Sequence, residues 1–154
     1  MAGHELLLTR DVDAPPEAIW RVLTDLDNAP RNLSQVVSIE RIGGDGYGPG
    51  TRWRETRTMF GRSEAQEMWV ESVDPPRATV VRAQAGGVDY TTTFEVTPRD
   101  GGSRITMRFA GAQQAPSVLQ RLAWTVLGPI GMRVTRKAMQ GDLDDIAAAA
   151  ESLN

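Results

Sequence analysis

The segment "TRWRETRTMFGRSEAQEMW" (residues 51–69) has β-strand alternation on both sides of Phe60-Gly61. A two-residue loop is the commonest hairpin connection, and a glycine in it readily supplies a positive φ. This register places Arg54 opposite Glu67, two charges of opposite sign. A three-residue loop would place Glu55 opposite Glu67, and like charges directly opposite each other are destabilising. The sequence therefore predicts a hairpin with the two-residue loop.

The same register decides which face of the hairpin points into the fold. On one face Arg52 lies opposite Trp69, beside the Arg54–Glu67 pair. A cation–aromatic pair next to an ion pair suits contact with water. The other face carries the larger apolar groups, so we expect it to point inward.

Later hairpins extend this inward face across the sheet. Turn-forming residues separate about six strands between residues 36 and 109. A loop at Gly86-Gly87 pairs Ala83 with Tyr90. The predicted inward apolar residues are Trp53, Met68, Val70, Val81, Phe94, Val96, Ile105, Met107 and Phe109. The predicted inward polar residues are Glu55, Arg57, Gln66, Tyr90 and Thr92, with Glu64 as a further candidate.

A strand and a helix are predicted before these strands. "ELLLTRDVDAP" has strand alternation, and Pro16 then suits the first position of a helix. Ile19, Leu23 and Leu26 recur on one face of that helix. Proline cannot continue a helix, so we expect Pro30 to end or kink it, with a short helical turn or loop in "PRNLSQ".

The C-terminal segment has helical periodicity. "SVLQRLAWTVL" is predicted to be helical up to a break at Gly128-Pro129, and a longer helix follows. Gly141 lies inside that helix at a cost of roughly 1 kcal/mol relative to alanine, which close approach to a strand or a ligand could offset. "DLDD" (142–145) is interpreted as a solvated turn. The apolar stripe consists of Met132, Met139, Leu143, Ile146, Ala150 and Leu153.

Antiparallel strands followed by one long helix predict an α+β fold, in a single domain spanning residues 1–154. The sheet is expected to be curved and to wrap around the helix. One face of such a sheet contacts the helix and the other faces water, which explains the two-sided pattern of each strand.

The composition excludes several kinds of function. The chain has no cysteine and only one histidine, so a zinc site and Cys/His or Ser/His dyads are excluded. A net charge of −3 argues against nucleic acid as a partner. No apolar run is long enough to span a bilayer. We expect a cytoplasmic protein, monomeric or homodimeric, without an integral membrane segment, metal or cofactor.

The order of several motifs resembles the START-like (SRPBCC) superfamily, and most closely its polyketide cyclase/dehydrase and lipid-transport branch. The motifs are "DVDAPPEAIWRVLTDLDNAP", "VVSIERIGGDGYGPGTRW", "WVESVDPPRATVVRA", "FEVTPRDGGSRITMRF" and the long C-terminal helix. The resemblance implies a helix-grip fold. In that fold two short helices follow the first strand, a seven-stranded antiparallel sheet grips the C-terminal helix, and an elongated cavity lies between them. Relatives often carry a tryptophan near the cavity mouth, where this chain has Asn32.

The implied cavity gives the inward polar residues two interpretations. They could hold the polar end of an apolar ligand, since apolar pockets with a few convergent polar groups are typical of small-molecule sites. Alternatively, Arg57 pairs with Glu64 or Glu55, and the polar group only defines the fold. The candidate catalytic residues are Arg57, Glu55 and Tyr90. The candidate ligand-binding residues are Trp53, Glu55, Arg57, Gln66, Met68, Val81, Tyr90, Thr92, Phe94, Met107, Trp124, Met132 and Met139.

Three functions follow as hypotheses. The first is binding or transport of a hydrophobic small molecule such as a lipid, isoprenoid, polyketide or aromatic metabolite. The second is an aromatase/cyclase or dehydratase, in which Arg57 would polarise a ketone while Tyr90 or Glu55 moves the proton. The third is a protein-interaction module of the stress-response or antitoxin kind.

The glycine-rich segment "GGDGYGPG" has two interpretations, a loop over the pocket or a long hairpin turn. It lacks the strand–loop–helix context of a phosphate-binding loop.

Overall fold

A first strand is followed by two short helices, six consecutive strands and a long C-terminal helix. The computed structural model describes residues 3–59, 61–85, 88–113 and 129–153. The helices are α1 (Pro16–Leu23), α2 (Ala29–Asn32) and α3 (Pro129–Glu151), with a 3₁₀ turn at Leu26–Asn28. The strands are β1 (Gly3–Val12), β2 (Val36–Gly43), β3 (Arg52–Met59), β4 (Arg62–Asp74), β5 (Ala78–Ala85), β6 (Val88–Arg99) and β7 (Gly102–Gln113).

The seven strands form one sheet in the order β1-β7-β6-β5-β4-β3-β2. All neighbours are antiparallel. Register shifts interrupt the pairing between Val36 and Ser38 on β2 and between Val70 and Ser72 on β4. Such irregularities bend a strand and increase its local twist, which suits a sheet that curves around α3. The predicted helix-grip architecture is confirmed.

The register of the β3–β4 hairpin is the one predicted from its charges. Arg54 lies opposite Glu67, and Gly61 in the loop has a φ of 76°. The guanidinium of Arg52 lies over the Trp69 ring, 4.7 Å from its centroid. One detail of the outer face was wrong: Glu67 forms its ion pair with Arg52, diagonally across the strands, and not with Arg54. A long arginine side chain can reach the diagonal neighbour as well as the direct one.

The β5–β6 hairpin also has the predicted pairing, with Ala83 opposite Tyr90. Its Gly86-Gly87 loop lies outside the described residues. On β1, His4 is paired with Gly111 of β7, so its backbone belongs to the sheet edge. None of the described helices is long and apolar enough to cross a membrane.

The α3 helix packs its apolar stripe against α1 and the sheet. Met139, Leu143, Ile146 and Ala150 are all buried in one core cluster. The inclusion of Leu153 in this stripe was wrong, because α3 ends at Glu151 and the Leu153 side chain is 45% exposed. The predicted helix over residues 117–127 lies outside the described part of the chain.

Pro30 has a different place from the one predicted. The α1 helix already ends at Leu23, where the Thr24 hydroxyl donates to the carbonyl oxygen of Trp20. Pro30 then lies in the first turn of α2. Proline is well tolerated there because the first amides of a helix have no intrahelical acceptor. Pro30 therefore lies in the first turn of a short helix and does not end one.

Candidate ligand cavity

A cavity of about 330 Å³ lies between the concave face of the sheet and the inner face of α3. Most of its wall is apolar, with Trp53, Val81 and Met107 on the sheet side and Met139 and Ile146 on the helix side. Ligand pockets span roughly 300–1,000 Å³ and have mainly apolar walls with a few polar groups. The volume therefore falls at the small end of the range for small-molecule sites.

Three charged side chains meet in the wall of this cavity, and we call Glu55, Arg57 and Asp142 the buried triad. Arg57 Nε donates to Glu55 Oε2 at 2.8 Å. Arg57 Nη1 lies 3.3 Å from Asp142 Oδ1, and Nη2 lies 3.0 Å from Asp142 Oδ2. The indole Nε1 of Trp53 donates to the second oxygen of Glu55 at 3.2 Å. The guanidinium thus bridges a carboxylate on β3 and one on α3.

Local structure explains how the triad assembles. Glu55 and Arg57 are two positions apart on β3, so both point to the concave face. Asp142 lies three positions after Met139 and four before Ile146 on α3, and therefore on its inner face. The side chains of Arg57 and Asp142 are each about a tenth exposed, at 13% and 9%. A buried charge of this kind is stable only when it is paired.

The electrostatics of the triad are dominated by burial and by mutual pairing. Burial raises the pKa of Asp142 to about 6, and the neighbouring Arg57 only partly opposes this shift. The Glu55 and Asp145 carboxylates raise the pKa of Asp142 further. Burial lowers the pKa of the Arg57 guanidinium, but the two carboxylates outweigh it and leave that pKa above its usual value. Arg57 is therefore cationic at every relevant pH, while Asp142 can take up a proton slightly below neutrality.

The segment after α2 fixes α3 at the level of the triad. Ser34 donates from both its amide and its hydroxyl to Asp145 Oδ2, at 2.9 and 2.8 Å. Gln35 Nε2 donates to the carbonyl oxygen of Ala138 at 2.9 Å. A Cβ at Gly141 would lie 2.7 Å from that Gln35 nitrogen. A close approach does occur at Gly141, but it is made by the side chain of Gln35 in the turn before β2, and not by a strand as expected.

Four neutral polar side chains line the cavity without a hydrogen-bond partner among the described residues: the amides of Asn32 and Gln66 and the hydroxyls of Tyr90 and Thr92. The Tyr90 ring stacks on Phe109, with centroids 5.3 Å apart and 16° between the planes. Burial raises the pKa of Tyr90, which keeps its hydroxyl neutral. These groups can donate or accept hydrogen bonds inside the apolar wall.

The glycine-rich loop contributes Tyr47 to the wall of the cavity. The Tyr47 hydroxyl lies 2.8 Å from Thr79 Oγ1, and Thr79 donates to the carbonyl oxygen of Ser72 at 3.0 Å. Since the Thr79 proton is used there, Tyr47 is the donor in the first contact. Burial raises the pKa of Tyr47 to about 12. Asn32 lines the same cavity from α2.

Most residues predicted to contact a ligand do line the cavity, although whether they bind one stays a prediction. Met132 is not among the lining residues and packs against the core clusters instead. Trp124 lies outside the described residues. The predicted residues that line the cavity are Trp53, Glu55, Arg57, Gln66, Met68, Val81, Tyr90, Thr92, Phe94, Met107 and Met139.

The interpretation of "DLDD" as a solvated turn was wrong for its first residue. Asp142 is 6% exposed and pairs with Arg57, whereas Asp144 is exposed. The sequence did contain a signal, because position 142 shares the helix face of Met139 and Ile146. An acidic residue on an apolar stripe indicates a buried partner. Glu64 lines the cavity at an exposed position and has no ion pair with Arg57 among the described contacts.

The described residues contain no cluster of three or more potential metal-ligating side chains. The concave sheet, the gripped helix and the mainly apolar cavity between them agree with the resemblance noted in the sequence. A family model described as "Polyketide cyclase / dehydrase and lipid transport" matches residues 4–151. The chain belongs to this family.

Solved structures similar to this family member share its fold over almost the whole chain. The Zhui aromatase/cyclase of a Streptomyces species superposes with a TM-score of 0.82 at 18% identity, covering 97% of this chain and 94% of the other. A START superfamily protein from Mycobacterium smegmatis gives 0.77 at 14% identity, covering 98% and 99%. A truncated norcoclaurine synthase from Thalictrum flavum gives 0.71 at 19% identity, covering 95% and 92%. No curated protein matches the chain significantly.

Proposed function

We propose that the protein binds a small to medium apolar molecule in the cavity, with the polar end of that molecule beside Gln66, Tyr90 and Thr92. The observation that carries this proposal is the combination of a mainly apolar cavity with unpartnered neutral polar groups in its wall. Leaving polar groups unsatisfied inside a protein is costly. A ligand or water that bonds to them offsets that cost.

Membership in the family supports the proposal at the level of class, since the family description names lipid transport beside cyclase and dehydrase activity. A fold of this kind hosts several activities, so the choice among them has to come from the site. The wall is predominantly apolar, which favours a lipid, isoprenoid, polyketide or aromatic metabolite over a sugar or nucleotide.

The test is native mass spectrometry of freshly purified protein, followed by solvent extraction and analysis of bound small molecules. Val81→Phe fills part of the cavity, and Val80→Phe is the matched control because neighbouring strand residues point to opposite faces. We expect an apolar adduct, or uptake of the neutral fluorophore N-phenyl-1-naphthylamine. Val81→Phe should weaken the binding of the fluorophore at least tenfold, and Val80→Phe should weaken it by less than twofold. An empty wild-type protein that also excludes the fluorophore contradicts the proposal.

One observation favours a second candidate function, the aromatase/cyclase or dehydratase. Asp142 is a cavity carboxyl whose pKa is raised to about 6. General acid–base catalysis works best when the pKa of the group lies near the operating pH. In this hypothesis Asp142 joins the predicted Glu55 and Tyr90 as a group that moves a proton, and Arg57 stabilises negative charge. Loss of turnover in Asp142→Asn with retained ligand binding would support catalysis, whereas unchanged turnover would exclude Asp142 from it.

The interaction-module hypothesis stays a prediction. No contact among the described residues is specific to it. The oligomeric state also stays a prediction.

A further inference from the structure

The charged residues in the cavity wall are mostly acidic. Among the described lining residues there are four carboxylates, of Asp25, Glu55, Glu64 and Asp142, and one guanidinium, of Arg57. Glu55 and Asp142 are buried, while Glu64 is exposed at the cavity edge. When both of its carboxylates are ionised, the buried triad has a net charge of −1, since it contains two carboxylates and one guanidinium.

Arg57, the one cation among the described lining residues, is already engaged by protein carboxylates. All three guanidinium nitrogens of Arg57 contact a carboxylate of the triad: Nε contacts Glu55, and both Nη atoms contact Asp142. Charge-assisted pairs of this geometry are the strong class of hydrogen bond. An anionic ligand that recruited Arg57 would have to displace one of these buried carboxylates and leave it unpaired.

Apart from the exposed Glu64 carboxylate, the lining side chains without a partner among the described residues are uncharged. The Gln66 amide and the Tyr90 and Thr92 hydroxyls can complement a hydroxyl, a carbonyl or an ether. They carry no charge to compensate that of a carboxylate, sulfate or phosphate. Interactions between charges are strong in such a low-dielectric space, so a buried anion would be repelled by the excess carboxylate.

We propose that the cavity selects ligands by charge, accepting an apolar molecule with a neutral hydroxyl or carbonyl end and rejecting the carboxylate of the same skeleton. The free form of a fatty acid would then be a poor ligand, and the corresponding alcohol, ketone or ester a good one. This inference rests on the proposed function, because it specifies the ligand class of the same cavity.

The test uses two competitors that share one apolar skeleton. 2-Naphthalenemethanol and 2-naphthoate are each titrated against the protein with N-phenyl-1-naphthylamine bound, at pH 7.5. Displacement is measured as the loss of fluorescence. In wild type we expect the alcohol to bind at least tenfold more tightly than the carboxylate. Equal binding, or tighter binding of the carboxylate, overturns the charge selection. Failure of the fluorophore and both competitors to bind overturns the proposed function itself.

Variants separate the charge of the triad from the general reluctance of anions to enter apolar space. Glu55→Gln removes one buried charge and keeps an oxygen that can accept from Trp53 or Arg57, so the ratio of the two affinities should narrow at least threefold. Asp142→Asn removes a charge from the helix side of the triad. It replaces Glu55→Gln in the same test if that variant does not fold. Glu67→Gln is the matched control, because that carboxylate lies on the outer face of the sheet. An unchanged ratio in the folded triad variants overturns the inference.

Discussion

Arg57 of β3 and Asp142 of α3 form a bidentate ion pair in the wall of the cavity, although 85 positions separate them in the chain. The pair connects the sheet directly to the helix that the sheet grips. Replacing both partners of a buried ion pair by apolar residues of similar size is often neutral for stability. Removing only one partner is strongly destabilising, because it leaves an unpaired charge buried. Removal of Arg57, which would leave both carboxylates unpaired, should therefore have a large effect on stability.

Arg57→Ala should lower the free energy of unfolding by roughly 3 kcal/mol, because it leaves two carboxylates buried without a cation. Urea denaturation at pH 7.5 measures the change. Arg54→Ala on the same strand is the control, since Arg54 is exposed on the outer face. A surface substitution of this kind usually changes stability by less than about 0.5 kcal/mol. Similar losses in both variants would contradict a structural role for the triad.

Asp142 should make stability depend on pH. Its pKa is raised from 3.8 in the unfolded chain to about 6 in the fold, so the folded protein binds the extra proton between these values. The contribution of this group is fully present below pH 3.8 and is lost as the pH rises through about 6. Between pH 7.5 and 5.0 wild type should gain about 1 kcal/mol relative to Asp142→Asn. Parallel pH profiles of the two proteins, measured by urea denaturation, would show that Asp142 is not perturbed.

Tyr47→Phe should loosen the glycine-rich loop while leaving the fold intact. The substitution removes the hydrogen bond to Thr79, and a typical hydrogen bond contributes about 1 kcal/mol. Since Tyr47 is part of the cavity wall, a looser loop should let bound N-phenyl-1-naphthylamine dissociate several-fold faster in a stopped-flow experiment. An unchanged dissociation rate would mean that exchange does not pass this loop.

Gly141 and Gln35 should be coupled. Alanine at Gly141 gains roughly 1 kcal/mol of helix propensity but displaces the Gln35 amide from its hydrogen bond to Ala138, so the single variant should be nearly neutral. In a Gln35→Ala background the same substitution should stabilise by about 1 kcal/mol. A double-mutant cycle in urea gives the coupling directly. Equal effects of Gly141→Ala in both backgrounds would rule out the steric explanation.

The sequence predicted the sheet well because its information there is local. Alternation, one glycine turn and the sign of opposing charges were enough to pair Arg54 with Glu67 and Ala83 with Tyr90. Each of these pairs depends on residues within one hairpin. Charge repulsion in the alternative register made the choice decisive.

The pairing within the site was harder to predict, because it depends on how α3 docks. Arg57 had two acidic candidates nearby, Glu55 and Glu64, and only Glu55 pairs with it. Its second partner, Asp142, comes from a different element, and neither sequence distance nor strand register specifies that contact. Leu153 shows the converse, since periodicity continued through a residue that the helix no longer includes.

Because the Arg57–Asp142 pair joins β3 to α3, the binding of an unidentified ligand can be detected through the stability of α3. The cavity exists only while α3 is docked, so any molecule that fills it stabilises the docked state by mass action. Local opening of a helix is reported by exchange of its amide hydrogens. Amides of residues 135–146 should therefore exchange more slowly when the cavity is occupied. Fractions of a crude extract can be assayed for a ligand by this slower exchange.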